Sequence, residues 1–252
     1  LRYGHSLFSK EALSGCYATH ILLKPGTFIT KVPDAISSRL ATPANCALAT
    51  VANSLDPQRM PRYGSNSSAL VQGAGMLGIY SVAWLKQRLG MEHVFVVDTN
   101  EARLRTATRF GAIPLNATKT NAEERKAQVI DLCPHGVDVV VEMAGVLGVV
   151  EEGIGLLRNG GHYSFVGLVH PNSVLSNISG EQIIRKCLTI RGVHNYSPWH
   201  LSEAMEFLEK NSEKLPWDAL FNPKEFALKD IDNAFTEAMK GDYCRVVLDC
   251  QR

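Results

Sequence analysis

The chain has no cysteine pair at C-x-x-C spacing. Its six cysteines (Cys16, Cys46, Cys133, Cys187, Cys244 and Cys250) are scattered along 252 residues. That scatter argues against a disulfide framework and for reduced thiols, hence a cytoplasmic setting. Excess charge is missing as well: 26 Lys and Arg stand against 25 Asp and Glu, so there is neither a basic surplus for nucleic acid nor an acidic solvating tail. Long apolar runs are also lacking. The longest, Gly136 to Val150, is interrupted by Asp138 and Glu142 and falls short of the roughly 20 residues a membrane helix needs. No nucleic-acid or membrane partner is therefore expected. The opening shows no secretory pattern, and Leu1 to Ser14 reads as the middle of a longer sequence. What is present is ordinary globular material, 45% hydrophobic and 20% charged, enough for one large domain or two modest ones.

The first forty residues alternate short apolar runs with turn residues, breaking at Pro25-Gly26 and Pro33-Asp34. That is β-type punctuation. From Ala41 the residues become small and apolar, as suits a helix lying close on a neighbour, and Met60 to Ser68 is a polar link. A different rhythm follows. Strand-like runs at Ala69–Gln72, His93–Val97, Val137–Glu142, His162–Gly167 and Leu188–Val193 alternate with helical stretches. Those stretches are Met76–Leu89, Glu101–Phe110 and Val149–Arg158, the last closed by Gly160-Gly161. Such alternation predicts an α/β fold with a doubly wound parallel (Rossmann) sheet. Beyond it come a helix from Trp199 to Asn211, an amphipathic stretch Ile231–Met239 stopping at Gly241, and a closing strand Cys244–Leu248.

Between the first strand and its helix stands Gly73-Ala74-Gly75-Met76-Leu77-Gly78, a G-x-G-x-x-G string. Each glycine has its own task in a dinucleotide loop: Gly73 turns tightly, Gly75 lets a diphosphate approach the backbone, and Gly78 lets the helix lie close to the strand. The helix N-terminus at Met76 and Leu77 offers amides and a positive dipole end to phosphate. The second strand ends at Asp98, where a carboxylate accepts from ribose hydroxyls and repels a 2′-phosphate, so NAD is expected before NADP. Arg103 and Arg105 weaken that preference without reversing it. A methyltransferase shares the glycine loop and the acidic strand end, but has no need of the sequence flanking this unit.

Several motifs in fixed order resemble the medium-chain dehydrogenase/reductase family, nearest its zinc-dependent alcohol and polyol dehydrogenases. They are Gly15-Cys-Tyr-Ala-Thr-His20, Pro25-Gly26-Thr27, Val32-Pro33-Asp34, Cys46-Ala-Leu-Ala-Thr50, the glycine loop, and Asp98 with Arg103. Arg2-Tyr3-Gly4-His5 resembles the piece following that family's structural-zinc lobe, and Pro43-Ala44-Asn45-Cys46-Ala47 resembles its phosphonate-associated subgroup. The resemblance implies a partial β-rich GroES-like catalytic domain over 1–44 and an NAD-binding Rossmann domain over 45–194. A segment over 195–252 would return to the catalytic domain.

The resemblance also implies an NAD-dependent oxidoreductase that moves hydride between an alcohol or carbonyl and nicotinamide, with zinc as a second cofactor. Cys46 falls at the family's last catalytic-zinc ligand, with Thr50 beside the coenzyme. Arg103 falls at the adenosine ribose and Arg245 at the pyrophosphate. Ala144, Gly145, Gly167, Leu168 and Val169 would line the ribose and nicotinamide. The catalytic residues, the other zinc ligands and the four-cysteine lobe are expected upstream of Leu1, and neither His5 nor His20 replaces them. Edge-strand pairing near Leu188–Val193 would give a homodimer or homotetramer. Two other readings stay open: a non-catalytic NAD-binding or dimerising short form, and a zinc-free reductase of the same superfamily, which Cys46 argues against.

Overall fold

The computed structural model describes residues 15–61, 63, 64 and 66–252, and the chain divides into two units. The larger runs from Val32 to Pro216. Its Val- and Leu-rich runs pair into one parallel sheet: β1 (Ser68–Gln72), β2 (His93–Asp98), β3 (Ile113–Asn116), β4 (Val137–Glu142), β5 (Leu157–Phe165) and β6 (Thr189–Gly192). Their order is β3-β2-β1-β4-β5-β6. Chain direction across the sheet thus reverses between β1 and β4, and in such sheets ligands bind in the crevice beyond the carboxyl ends at that point. The inner strands are buried on both faces; Leu70, Phe95 and Val139 to Val141 have no exposed surface. Burying each valine contributes about 2 kcal/mol.

The unit also holds helices α1 (Ser38–Ala41), α2 (Ala49–Ser54), α3 (Met76–Gln87), α4 (Glu101–Arg109), α5 (Ala122–Leu132), α6 (Gly148–Leu156), α7 (Gly180–Arg185) and α8 (Pro198–Asn211), of which α3, α4 and α6 pack directly on the sheet. A single π-helical turn, Ala44–Leu48, leads into α2. The unit is wider at both ends than the 45–194 read from sequence. The helix α8 belongs to it because it buries Ala204, Phe207 and Leu208, with the Phe207 ring 4.8 Å from that of Trp84 on α3. Arg191 on β6 donates to the Asn53 carbonyl and side chain at 2.9 and 2.7 Å, tying α2 to the sheet edge.

The smaller unit comprises 15–31 with Trp217–Arg252. It holds a 3-10 turn at Trp217–Leu220, β7 (Phe226–Ala227), α9 (Ile231–Lys240) and β8 (Leu248–Asp249). Gly241 ends α9 in the left-handed conformation, φ 74°, as its position after the amphipathic run predicts.

Several expectations need correction. No strand forms in 15–37, where the β-type pattern stood; Tyr17, Leu22 and Ile29 are exposed, and apolar alternation makes no strand without a neighbour to pair with. The closing strand shrinks from Cys244–Leu248 to Leu248–Asp249 plus one bridge from Arg245 to Phe221, because its partner β7 is only two residues long. The glycine pair Gly160-Gly161 does not close α6. That helix stops at Leu156 because Leu157 turns extended and pairs with Val137, while Lys186 Nζ donates to the carbonyls of Ile154, Gly155 and Leu157. Gly160, φ 72°, lies where the β4–β5 register shifts. The short β3 and the helix α5 were not foreseen. Residues 1–14, with the Arg2-Tyr3-Gly4-His5 motif and His5, lie outside the described residues.

Candidate functional site

The chain reverses at the end of β1 through Gly73, whose φ of 102° excludes most side chains. A methyl carbon there would lie 3.1 Å from Ala144 Cα, so the loops after β1 and β4 touch across the point where the sheet direction changes. At Gly78 a methyl carbon would fall 1.8 Å from the Gly73 carbonyl oxygen, so α3 can approach the strand only without a side chain there. Gly75 is different. It is the N-cap of α3, at φ −72° and ψ −170°, and a methyl carbon on it would meet nothing within 4 Å. The space above this glycine is open.

The N-terminus of α3 makes no side-chain capping bond and has no acidic residue in its first turn. Its neighbours α4 and α5 are capped, by Asn100 and by an Asn121–Glu124 capping box. The amides at Met76, Leu77 and Gly78 therefore keep their pull on an anion. Asp98, half-buried at the end of β2, accepts from the Ala74 amide through Oδ2 at 2.6 Å and from the Asn100 amide through Oδ1 at 2.7 Å. It holds the glycine loop in shape, and each oxygen keeps a lone pair for a hydroxyl. The Nε of Arg103 on α4 is buried and finds no hydrogen-bond partner among the described residues, an orphan donor of the kind that asks for a ligand acceptor.

Across the crevice, the loops after β4 and β5 carry Ala144, Gly145, Gly167, Leu168 and Val169. Gly145 stands at φ 69°, its carbonyl 3.2 Å from His170 Nε2. What sequence reasoning missed is the group that joins these loops. The Glu142 carboxylate, with no exposed surface, accepts from the amides of Gly145, Gly167 and Leu168. The only signal for it was an acid closing the otherwise valine-rich run VDVVVE. Behind them Tyr163 donates to Gln72 Oε1 at 2.7 Å, and burial, with the Glu142 charge second, pushes its hydroxyl far above the usual phenol range.

Cys46 is exposed on the π-helical turn, and its carbonyl accepts from Thr50 Oγ1 at 2.6 Å. Among the described residues no three His, Cys, Asp or Glu side chains come together as a metal site. The described residues thus do not fit a zinc ion. Arg245 lies in the smaller unit, its amide donating to the Leu220 carbonyl at 3.0 Å. Among the described residues no helix is long and apolar enough to cross a membrane.

Residues 77–210, more than half of the chain, match the family model of zinc-binding dehydrogenases. The chain belongs to that family. It is 27% identical over 237 residues to 5-exo-hydroxycamphor dehydrogenase of Pseudomonas putida, covering 93% of this chain and 64% of that protein. It is 28% identical over 243 residues to L-threonine 3-dehydrogenase of Colwellia psychrerythraea, covering 94% and 65%. The chain thus spans just under two thirds of the length of these relatives. Among solved structures it resembles an alcohol dehydrogenase from Thermotoga maritima, with a TM-score of 0.84 at 28% identity, over 94% of this chain and 64% of that one. An Escherichia coli alcohol dehydrogenase solved with NADH shares the fold at 21% identity, with a TM-score of 0.73 over 87% and 61% of the two chains.

Proposed function

We propose that the protein is an NAD-dependent oxidoreductase acting on a small-molecule alcohol or carbonyl, with the coenzyme held in the crevice of the larger unit. The carrying observation is the open space at Gly75 over the uncapped amides of α3. Gly73 and Gly78 on either side of it are tightly packed, whereas Gly75 is open where a diphosphate would meet backbone N–H groups. Asp98 would accept from the adenosine ribose and the orphan Nε of Arg103 would donate beside it. The loops 143–145 and 167–169 would border the nicotinamide end, where small residues let a flat ring lie on backbone. Bound NAD supplies the hydride acceptor; the chain's residues supply position and orientation.

Cys46 is proposed to stand at the position of a zinc ligand in the family, without a metal site of its own among the described residues. Pairing of β6, the outer strand of the sheet, with its copy is proposed to make a homodimer. Fluorescence titration with NADH and NADPH tests the coenzyme reading. NADH is expected to bind at least tenfold more tightly; equal or reversed affinities would remove the role given to Asp98. Alcohol turnover measured together with bound zinc separates an enzyme from a form that only binds coenzyme.

A further inference from the structure

Glu142 closes β4 and has no exposed surface. Its three side-chain hydrogen bonds all come from backbone amides. Gly145 donates to Oε1 at 2.6 Å, and Gly167 and Leu168 donate to Oε2 at 2.9 and 3.1 Å. The residue's own carbonyl accepts from Val166 and Gly167 at 3.2 and 3.0 Å. The glycines leave room for nothing else: a methyl carbon on Gly167 would sit 2.7 Å from Glu142 Oε1 and 2.7 Å from the Gly145 amide nitrogen. One carboxylate thus fastens the loop after β4 to the loop after β5. Valines fill the three preceding positions, and a fourth would bury more cheaply than a charge. An acceptor-only group with two oxygens is, however, the one side chain able to gather amides from two loops at once through charge-assisted bonds.

Resting on the coenzyme reading above, we propose that Glu142 is a positioning residue. It shapes the 143–145 and 167–169 loops into the seat of the nicotinamide-ribose half of the coenzyme, and it does not touch the adenine half. The adenine half depends on Gly73–Gly78, Asp98 and Arg103, none of which donates to the Glu142 carboxylate, whose hydrogen bonds come from Gly145, Gly167 and Leu168. A glutamine at 142 keeps the size but offers one acceptor oxygen and an NH2 group. That NH2 would face amides that also donate.

The test uses the full chain and compares two ligands, NADH followed by fluorescence and ADP, which lacks the nicotinamide ribose, by calorimetry. Glu142→Gln is expected to weaken NADH at least tenfold and leave ADP within twofold. The emission of bound NADH should also move toward that of the free coenzyme. Unchanged NADH affinity, or equal losses for both ligands, overturns the proposal, since a merely structural role moves both together. Glu142→Asp keeps the buried charge but is one methylene too short to reach both loops. It should show the same split and serves where the glutamine variant does not fold. Wild-type protein binding neither ligand would overturn the coenzyme reading itself, an outcome separate from a wild type that binds both and a variant that binds both equally well.

Discussion

Two glycines three residues apart make opposite predictions. Gly75→Ala places a methyl group in open space at an ordinary backbone conformation, so folding stability should hold or rise by up to about 1 kcal/mol. The same methyl occupies the space assigned to the diphosphate, and NADH affinity should fall at least tenfold. Gly78→Ala drives a carbon to 1.8 Å from the Gly73 carbonyl and should cost about 3 kcal/mol in urea denaturation. A Gly75→Ala variant that binds NADH normally would show that the space serves no ligand. His162 carries a prediction of its own. Buried on β5, with Nε2 3.0 Å from Ser164 Oγ and Arg191 adding repulsion, it is pushed down to about 4 from 6.5. Between those values the unfolded chain takes a proton that the folded one refuses, so stability present above pH 6.5 is lost as pH falls toward 4. The loss is about 3 kcal/mol at most. Burial lowers His200 too, Asp56 opposing, and adds in the same direction. Urea midpoints at pH 7, 5 and 4 should fall for the wild type and fall less for His162→Gln.

At the scale of elements, α5 is tied to α6 by a two-pronged ion pair. Arg125 Nε and Nη2 each lie 2.7 Å from an oxygen of Glu152, both side chains being largely buried. Removing one partner strands the other charge, so Glu152→Gln should cost about 3 kcal/mol, read as a shift in thermal midpoint. No shift would mean that the pair is solvated. This helix also shows where sequence reading stops. The strands β1, β2 and β4 were legible because runs such as ALVQ and VDVVV leave no polar face for solvent. The strand β3, IPLN, is four residues with a proline and reads as a turn; it is a strand because Val97 and Asp98 of β2 offer it an edge. The helix α5 is polar along most of its length and buries only Arg125 and Val129, so its apolar stripe is too thin to see. The expected strands of 15–37 and 244–248 failed for the opposite reason: apolar alternation was present and long partners were not.

On the whole-molecule scale, β6 ends the sheet with Ile190 partly exposed, and Ile184 on the preceding helix is exposed too. A free edge invites pairing. Sedimentation should show a dimer for the wild type and a monomer for Ile190→Lys; a wild-type monomer would remove the edge-pairing proposal. By itself the sequence determined the alternation of strand and helix, the glycine loop, the acid at Asp98 and the family likeness, because each rests on residues close together in the chain. Only the tertiary structure decided that the Ala74 amide hangs on Asp98, that Gly73 abuts Ala144, and that Glu142 joins loops more than twenty residues apart. A parallel sheet makes neighbours of strand ends separated by whole crossover units, and no local pattern records which end will lie beside which.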